Sequence, residues 1–200
     1  MTLPDGYHDV PAGKQAAVVT ALQMLAPPER RPERQGEAWA LRRVERPDLD
    51  WYRDLFRRVG EEWLWFSRVS IADETLAAIV HSPKVEVFAF EAAGEAEGLL
   101  ELDFREPGEC ELAFFGLTGA VRGGGAGRWL MNRALERAWA QPIRRLWVHT
   151  CSLDHPSALG FYIRSGFVPY RQQVEVADDP RLTGALPRHA APHIPIIEPV

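Results

Sequence analysis

The spacing of hydrophobic residues divides the chain into seven strand-like and four helix-like segments. Strand-like segments alternate apolar and polar residues, or are short apolar runs between turn residues, and they are predicted at Ala16–Leu25, Glu37–Val44, Val85–Ala92, Gly98–Phe104, Glu111–Leu117, Ile143–Cys151 and Phe167–Val176. Helix-like segments repeat apolar residues three and four positions apart, and they are predicted at Pro47–Gly60, Asp73–His81 (with Asp73 as cap), Gly125–Ala140 and Pro156–Ser165.

The order of these segments predicts a mixed α/β domain with one central sheet. Three consecutive strands between Val85 and Leu117 form an antiparallel meander, whereas the strands at 111–117 and 143–151 flank a helix and should run parallel. Outside this arrangement, residues 1–12 look irregular and Ala26–Gly36 is a loop rich in proline and charge. Asp178–Val200 contains five prolines and is predicted to be an extended tail.

Composition narrows the class of protein. A length of 200 residues with 46% hydrophobic residues suits one globular domain, and no apolar run approaches the roughly 20 residues of a membrane span. Met1–His8 lacks the pattern of a signal peptide, so we expect a cytoplasmic protein. A net charge of −5 gives no general attraction for nucleic acid, and we expect no membrane partner. Cys110, Cys151 and the six histidines show no spacing typical of a metal site.

A glycine-rich stretch, Val121–Arg128, lies between a predicted strand and a predicted helix. Glycine lets the backbone approach a ligand closely, and the first turn of a helix has free N–H groups and a partial positive charge. These properties predict a pyrophosphate-binding loop, although a tight turn without a ligand has the same composition. The P-loop and the dinucleotide-binding fingerprint both fail here, because the residues at the positions of their last conserved groups do not match.

Two motifs together resemble the GNAT acetyltransferase superfamily. The first is Arg-x-x-Gly-x-Gly at Arg122, Gly125 and Gly127, which is similar to the family's loop for acetyl-coenzyme A. The second follows after one strand and matches Asn-x-x-Ala-x-x-x-Tyr with a later Gly-Phe pair, at Ala158, Tyr162, Gly166 and Phe167. The resemblance covers about residues 37–176 and divides the chain into an N-terminal strand and loop extension (1–36), an acetyltransferase domain (37–177) and a Pro-rich tail (178–200). It implies a central, twisted, mostly antiparallel sheet with flanking helices.

The resemblance implies acetyl-coenzyme A as acyl donor and assigns its contacts. They are Phe115, Gly116, Leu117, Arg122, Gly123, Gly124, Gly125, Ala126, Gly127, Arg128, His155 and Tyr162. The backbone N–H of Phe115 or Gly116 would stabilise the thioester oxygen, and Leu117 would pair with the pantetheine arm. His155 stands where the family often has Asn, so it either donates a hydrogen bond to that arm or only caps the helix.

Acetyl transfer to an amine needs a base for the ammonium and benefits from an acid for the departing thiolate. Glu111 is the candidate base, because it begins the strand before the glycine loop, and strand alternation would place it on one face with Ala113, Phe115 and Leu117. A solvated glutamate at a strand start is the alternative, and Glu101 and Asp103 are the next candidates. The resemblance implies Tyr162 as the acid.

The acceptor is open at this point. Trp63, Trp65 and Phe66 occupy the region that forms the acceptor pocket in GNAT folds, although aromatic clusters are more often core. We expect an N-acetyltransferase in which a small-molecule or peptide amine attacks directly, since no Cys–His nucleophile is placed by sequence. A non-catalytic acyl-coenzyme A sensor and an N-acyltransferase for longer chains are the alternatives. The acidic balance is compatible with a cationic acceptor, and a homodimer is one of the open oligomeric states.

Overall fold

The computed structural model describes residues 3–34 and 38–199, and within these ranges it contains seven strands and four α-helices. The strands are β1 Lys14–Met24, β2 Trp39–Arg43, β3 Val85–Ala92, β4 Glu95–Asp103, β5 Glu109–Leu117, β6 Arg145–Cys151 and β7 Val168–Asp178. The helices are α1 Leu49–Gly60, α2 Asp73–Val80, α3 Ala126–Trp139 and α4 Ala158–Arg164. Type and order of the predicted elements are confirmed; the predicted start of the second strand at Glu37 lies outside the described residues.

All seven strands form one sheet in the order β2-β3-β4-β5-β6-β1-β7. Strands β5 and β6 pair in parallel, as predicted for the β-α-β unit, and every other neighbouring pair is antiparallel. The prediction of a mixed, mostly antiparallel α/β fold is therefore confirmed. Strand β1 lies between β6 and β7, so the N-terminal extension contributes an inner strand to the sheet.

Helices cover both faces of the sheet, and each pair of helices has its own core. Helices α1 and α2 pack on one face through Tyr52, Leu55, Phe56, Val59, Leu76 and Val80. Helices α3 and α4 pack on the other face through Leu130, Met131, Ala134, Leu135, Ala138 and Tyr162. Burying these apolar side chains is the main stabilising contribution to such a three-layer arrangement.

Two helix starts differ from the prediction. Helix α1 begins at Leu49 and not in its predicted first turn at Pro47, because Asp48 is its N-cap: the Asp48 carboxylate accepts a hydrogen bond from the Trp51 N–H at 2.9 Å. Helix α2 has Ala72 as its N-cap, so the prediction that Asp73 caps it is wrong. Asp73 instead lies in the first turn, where it pairs with Arg53 at 2.6 Å. None of the helices within residues 3–34 and 38–199 is long and apolar enough to cross a membrane.

A β-bulge at Ala113 interrupts the pairing of β5 with β4. Glu101 of β4 pairs with Phe114, and the next residue, Leu102, pairs with Leu112, so Ala113 has no partner in β4. A bulge adds one residue to one strand and thereby shifts the alternation of its side chains. The side chains before the bulge and those after it follow different alternation patterns.

This bulge separates residues that strict alternation places together. Phe115 and Leu117 pack in the α3/α4 core, which also holds Leu112. Glu111 alternates with Leu112 and therefore points to the face of α1 and α2. The prediction that Glu111 shares a face with Phe115 and Leu117 is wrong, because the bulge reverses the alternation between the two parts of the strand.

Strands β5 and β6 pair only near their beginnings. The paired residues run from Glu109 opposite Arg145 to Glu111 opposite Trp147, and beyond these pairs the two strands continue without pairing to each other. Parallel strands that part in this way leave a cleft between them, with free backbone groups on each side. The cleft opens immediately before the glycine-rich loop that begins α3.

The Pro-rich tail is folded rather than extended as predicted. Residues 179–194 form successive turns, and Leu186, Ala190 and Ala191 pack on Leu64. The Arg181 guanidinium is buried: it pairs with Asp179 at 2.7 Å and donates to backbone carbonyls of the tail at Ala190, Ala191, Ile194 and Pro195. Burial alone would raise the pKa of Asp179, but hydrogen bonds from Arg181 and Gln15 lower it to about 2. The arginine thus organises the tail, a long-range interaction that the proline content does not reveal.

Candidate active site

The cleft between β5 and β6 has a volume of about 500 Å³ and contains most of the predicted site residues. Its walls come from residues 63–68, both parted strands, the β6–α4 connection and α4. The predicted residues that line it are Trp63, Trp65, Phe66, Glu111, Phe115, Gly116, Leu117, Arg122, Gly127, His155 and Tyr162. Gly123, Gly124, Gly125, Ala126 and Arg128 belong to the adjoining loop and the start of α3.

The glycine loop has the backbone conformation that its sequence predicts. Gly123 and Gly125 have φ angles of 84° and 98°, a region that side chains other than glycine rarely adopt. Gly125 is the N-cap of α3, and within the described residues no side chain caps this helix end. A Cβ at Gly123 would meet nothing within 4 Å, so the backbone there is open to a ligand. These features fit a pyrophosphate group, since the N–H groups of the first turn are left for an anion.

Two arginines flank this loop in different environments. The Arg122 guanidinium pairs with Glu62 at 2.6 Å and lies 5.5 Å from the centre of the Trp63 ring. Arg128 donates to the Ser165 hydroxyl at 3.0 Å. Burial, together with the nearby positive charge of two further arginines, lowers the pKa of Arg128. An anion beside Arg128 would relieve this repulsion.

A segment that the motif reasoning missed lies against the same loop. The Arg34 guanidinium donates to the Gly124 carbonyl at 3.1 Å, and its Cδ would lie 3.1 Å from a Cβ at Gly125. Glu33 anchors the segment to α3, because Asn132 donates to it at 2.6 Å and Arg133 pairs with it. Hydrogen bonds from Arg133 lower the pKa of Glu33 to about 2, against the opposing effect of burial. Alternating charge and proline gives no periodic signal, so only the fold shows where this segment lies.

Tyr162 projects from α4 into an aromatic environment beside the cleft. The residue is 7% exposed and contacts Phe115, Phe161 and Phe167 with ring centres 5.8 to 6.3 Å away. Burial, with a smaller contribution from the negative charge of Asp154, raises the pKa of its hydroxyl. A tyrosine in this environment keeps its proton near neutral pH, which is the state that a general acid requires.

Gly116 allows close packing on the other side of the cleft. A Cβ at this position would lie 2.3 Å from a Val59 methyl group and 3.0 Å from the Trp65 ring. Neighbouring Phe115 stacks on Phe161, with ring centres 5.7 Å apart and planes 26° apart. Strand β5 is therefore held between α1 and α4 at the residues whose backbone N–H is predicted to face the thioester oxygen.

His155 lies in the turn that leads into α4 and bonds to its backbone. Its Nδ1 accepts a hydrogen bond from the Ser157 N–H at 3.1 Å, and its ring lies edge-on to Trp63 with centres 5.1 Å apart. The N-cap of α4 is Ser157, and within the described residues no side chain caps this helix, so the alternative that His155 caps it is not met. A contact between His155 and the pantetheine arm stays a prediction.

Glu111 lies at the point where β5 and β6 part, and it faces His149 of β6. Glu111 Oε1 is 3.5 Å from His149 Nδ1, and the two side chains are 24% and 52% exposed. The interaction with Glu111 outweighs the effect of burial and raises the pKa of His149, with smaller contributions from the negative charges of Asp154 and Glu175.

The two reserve candidates for the base are occupied by other partners. Glu101 is fully buried and accepts hydrogen bonds from the Tyr52 hydroxyl and from Arg68, the latter at 2.5 Å. Asp103 is held by Arg105 through contacts of 2.6 to 3.0 Å. Neutralised carboxylates of this kind are poorly suited to take a proton, whereas Glu111 has no arginine or lysine partner within the described part of the chain.

The predicted acceptor aromatics have two environments. Trp65 is packed in the α1/α2 core, with Phe56 and Phe114 at ring-centre distances of 5.6 and 5.4 Å, and its indole N–H donates to Asp154 at 2.9 Å. Trp63 makes edge-to-face contacts with His155 and with His193 of the tail. Both tryptophans line the cleft, so each serves as packing and as wall.

Cys151 also lines the cleft but is in the wrong state for a nucleophile. Burial, with the negative charge of Asp154, raises the pKa of its thiol to about 11. The thiolate is the reactive form of cysteine, so a thiol with this pKa is inert near neutral pH. This environment agrees with the expectation that no covalent acyl-enzyme forms.

Comparison with known proteins places this fold in a family. The profile of the acetyltransferase (GNAT) family matches residues 40–167, which is more than half of the chain. The chain therefore belongs to the acetyltransferase (GNAT) family. Its sequence has no significant match among curated proteins.

Solved structures of other acetyltransferases share the fold. A GCN5-related N-acetyltransferase from Sphaerobacter thermophilus aligns with a TM-score of 0.55 at 13% identity, over 84% of this chain and 53% of that one. An aminoglycoside acetyltransferase from an uncultured soil metagenomic sample aligns with a TM-score of 0.51 at 18% identity, over 64% and 86% of the two chains. A Bacillus subtilis acetyltransferase in complex with CoA aligns with a TM-score of 0.50 at 17% identity, over 65% of this chain and 76% of that one. This chain thus spans about half the length of the Sphaerobacter protein.

Proposed function

We propose that this protein is an N-acetyltransferase that moves an acetyl group from acetyl-coenzyme A to a cationic primary amine. The observation that supports this most is the composition of one cleft, which joins an uncapped helix start to a buried, protonated tyrosine and a carboxylate. Bound acetyl-coenzyme A would supply the thioester that the amine attacks. The glycine loop, with Arg128 beside it, would hold the pyrophosphate.

The residues of the cleft divide the remaining steps between them. The N–H of Phe115 or Gly116 stabilises the thioester oxygen as it gains charge. At the other side of the cleft, the pair of Glu111 with His149 draws the proton from the ammonium and so frees the lone pair for attack. Tyr162 gives its proton to the departing thiolate. The raised pKa of the Cys151 thiol supports direct attack without an acyl-enzyme.

The charges that line the cleft favour a cationic acceptor. Each arginine of the lining is paired with a carboxylate: Arg68 with Glu101, Arg105 with Asp103 and Arg122 with Glu62. In contrast, Glu111, Asp154 and Glu175 line the cleft and form no ion pair with an arginine or lysine among the described residues. Unneutralised carboxylates in a partly enclosed cleft attract cations.

Release of free thiol tests this proposal against its alternatives. Acetyl-coenzyme A is incubated with the protein and a panel of primary amines, and donors with longer acyl chains are run in parallel. We expect amine-dependent thiol release that is fastest with the acetyl donor. Faster release from a longer acyl donor would favour the broader N-acyltransferase. No release with any amine, although coenzyme A raises the melting temperature, would indicate a sensor.

A further inference from the structure

Glu111 and His149 face each other across the parting strands. Glu111 is opposite Trp147 in the last parallel pair, and His149 is two residues further along β6. Two residues along a strand return to the same face, so the imidazole lies over the opening of the cleft. The separation of 3.5 Å between Glu111 Oε1 and His149 Nδ1 joins the two strands just where their backbones stop pairing.

The residues around His149 pack beside its ring and leave the ring accessible to solvent. Trp147 lies alongside, with ring centres 6.3 Å apart and planes tilted by 31°, and the neighbouring residue on β1 is the small Ala21. The side chain of His149 is half-exposed, so a proton taken up by the ring has a path to solvent. Since Nδ1 faces the carboxylate, the neutral ring carries its proton there and leaves Nε2 free to accept one.

The charges around this histidine are acidic on three elements. Glu111 comes from β5, Asp154 from the β6–α4 connection and Glu175 from β7, and all three favour the protonated ring. The arginines that line the same cleft, Arg68, Arg105 and Arg122, are each paired with a carboxylate. The hydrogen bond with Glu111 and the charges of the three acidic residues raise the pKa of His149 above its ordinary value, against the opposing effect of burial.

We propose that His149 is the group that takes the proton from the acceptor ammonium, and that Glu111 acts through it as a positioning residue that orients and charges the ring. This assignment rests on the proposed acetyl transfer and divides the role of the base between two strands. His149 Nε2 takes one proton from the ammonium, and the freed lone pair forms the C–N bond as the C–S bond breaks. The nitrogen loses two protons. His149 passes the first to solvent, and the second, lost once the C–N bond has formed, returns to Tyr162 and replaces the proton that Tyr162 gave to the thiolate.

The two possible bases give opposite pH profiles, which makes the assignment testable. If His149 titrates in the acidic limb of kcat/KM, Glu111→Gln moves that limb to lower pH, because the carboxylate that raises the pKa of the ring is gone. In the same case His149→Gln removes the limb and lowers turnover near neutrality by about 10²-fold. His189→Gln is the matched control: this histidine also lies beside a glutamate, Glu61 at 3.8 Å, but outside the cleft.

The experiment measures kcat/KM against pH for the wild-type protein and the three variants, with one good amine acceptor. A His149→Gln variant that keeps the wild-type limb and rate would overturn the assignment, as would a limb that vanishes in Glu111→Gln. NMR titration of the His149 ring in the wild-type protein and in Glu111→Gln adds a readout that needs no turnover. A pKa at or below 6.5 in the wild-type protein would contradict the dyad. Absence of turnover in the wild-type protein, by contrast, would count against the acetyltransferase function itself.

Discussion

The two ends of the cleft are built in different ways. The cofactor end comes from one continuous stretch, residues 122–128, with α4 behind it, and its surroundings are rich in arginine. The acceptor end is assembled from the turn at Glu61–Trp63, β4, β5, β6 and β7, and its unneutralised charges are carboxylates. A short motif can therefore identify the first end from sequence, whereas the second depends on contacts between segments far apart in the chain.

The same contrast appears in the two segments that support these ends. On the cofactor side, residues 31–34 are fixed to α3 through Glu33, and Arg34 lies over the glycine loop. On the acceptor side, the tail is fixed by Arg181 and packs on Leu64, which is itself part of the cleft wall. Both segments lie outside residues 40–167, the part that matches the family, so they are features by which this chain completes a common fold.

Loss of Arg181, which organises the tail, should have the largest effect on stability. Of the two ends of the cleft, it should affect the acceptor end only. Arg181→Met leaves the buried Asp179 without its partner, which costs about 3–5 kcal/mol in the free energy of unfolding. Urea unfolding measures this loss. The acceptor KM should rise, because the tail no longer supports Leu64, whereas coenzyme A affinity in the folded protein stays the same. Arg188→Met, at an exposed ion pair with Glu198, is the control and should change stability by less than about 1 kcal/mol.

Removal of one hydroxyl at the junction of the two ends tests the chemistry without changing the packing. Tyr162→Phe keeps the ring contacts with Phe115 and Phe167, so folding and coenzyme A binding should be preserved. Turnover should fall by about 10²-fold or more, the range for a proton-transfer group. Steady-state kinetics and a coenzyme A titration are measured on the same preparation. Unaltered turnover would leave Tyr162 as a packing residue.

These comparisons also show which features the sequence could predict. Period-two and helical patterns gave the seven strands and four α-helices of the described residues, because these patterns are local in the sequence. The shared face of Glu111 and Phe115 was wrong because the bulge at Ala113 depends on the pairing with β4. The folded tail was missed because its structure depends on one buried arginine whose partners are up to 14 residues away.

At the functional level the same division holds. Residues 122–128 and Tyr162 could be assigned to a site because their motif is local. The pair of Glu111 with His149 could not, since the two residues lie on strands that meet only in the folded sheet. His149 on its own gave no partner and no reason to prefer it over a surface histidine.

A substitution in the glycine loop should lower coenzyme A affinity and leave the acceptor end unchanged. Gly125→Asp forces a side chain into a φ of 98°, against Arg34, and adds negative charge beside the expected pyrophosphate. The strain lowers the stability of the protein, whereas the added charge should weaken coenzyme A binding roughly tenfold, about 1.4 kcal/mol. Isothermal titration with coenzyme A measures it. Gly124→Ala is the matched control, because a Cβ there meets only the Val121 carbonyl at 4.0 Å, and equal losses in both variants would contradict the account.

The smallest expected effect concerns Arg34, which lies over the glycine loop. Arg34→Ala removes a cation next to Gly124, so coenzyme A should bind a few-fold more weakly, corresponding to about 1 kcal/mol or less for an exposed charge. The difference should shrink as salt is added, because exposed charges are screened. Arg30→Ala, in the same segment but paired with Glu33, is the comparison. A loss in Arg34→Ala that does not depend on salt would indicate a packing role instead.

In this account the cofactor end of the cleft is rich in arginine and the acceptor end is acidic. The most direct test compares amine acceptors that differ in charge. Primary amines of matched size, with one amino group, two amino groups, or one amino group and one carboxylate, are acetylated under the same conditions, and kcat/KM is determined from the mass of the products. We predict that the diamine is acetylated most efficiently and the carboxylate-bearing amine least efficiently, and that added salt reduces the difference. Acetylation that favours the carboxylate-bearing amine, or coenzyme A binding with no acetylated product from any amine, would contradict this account.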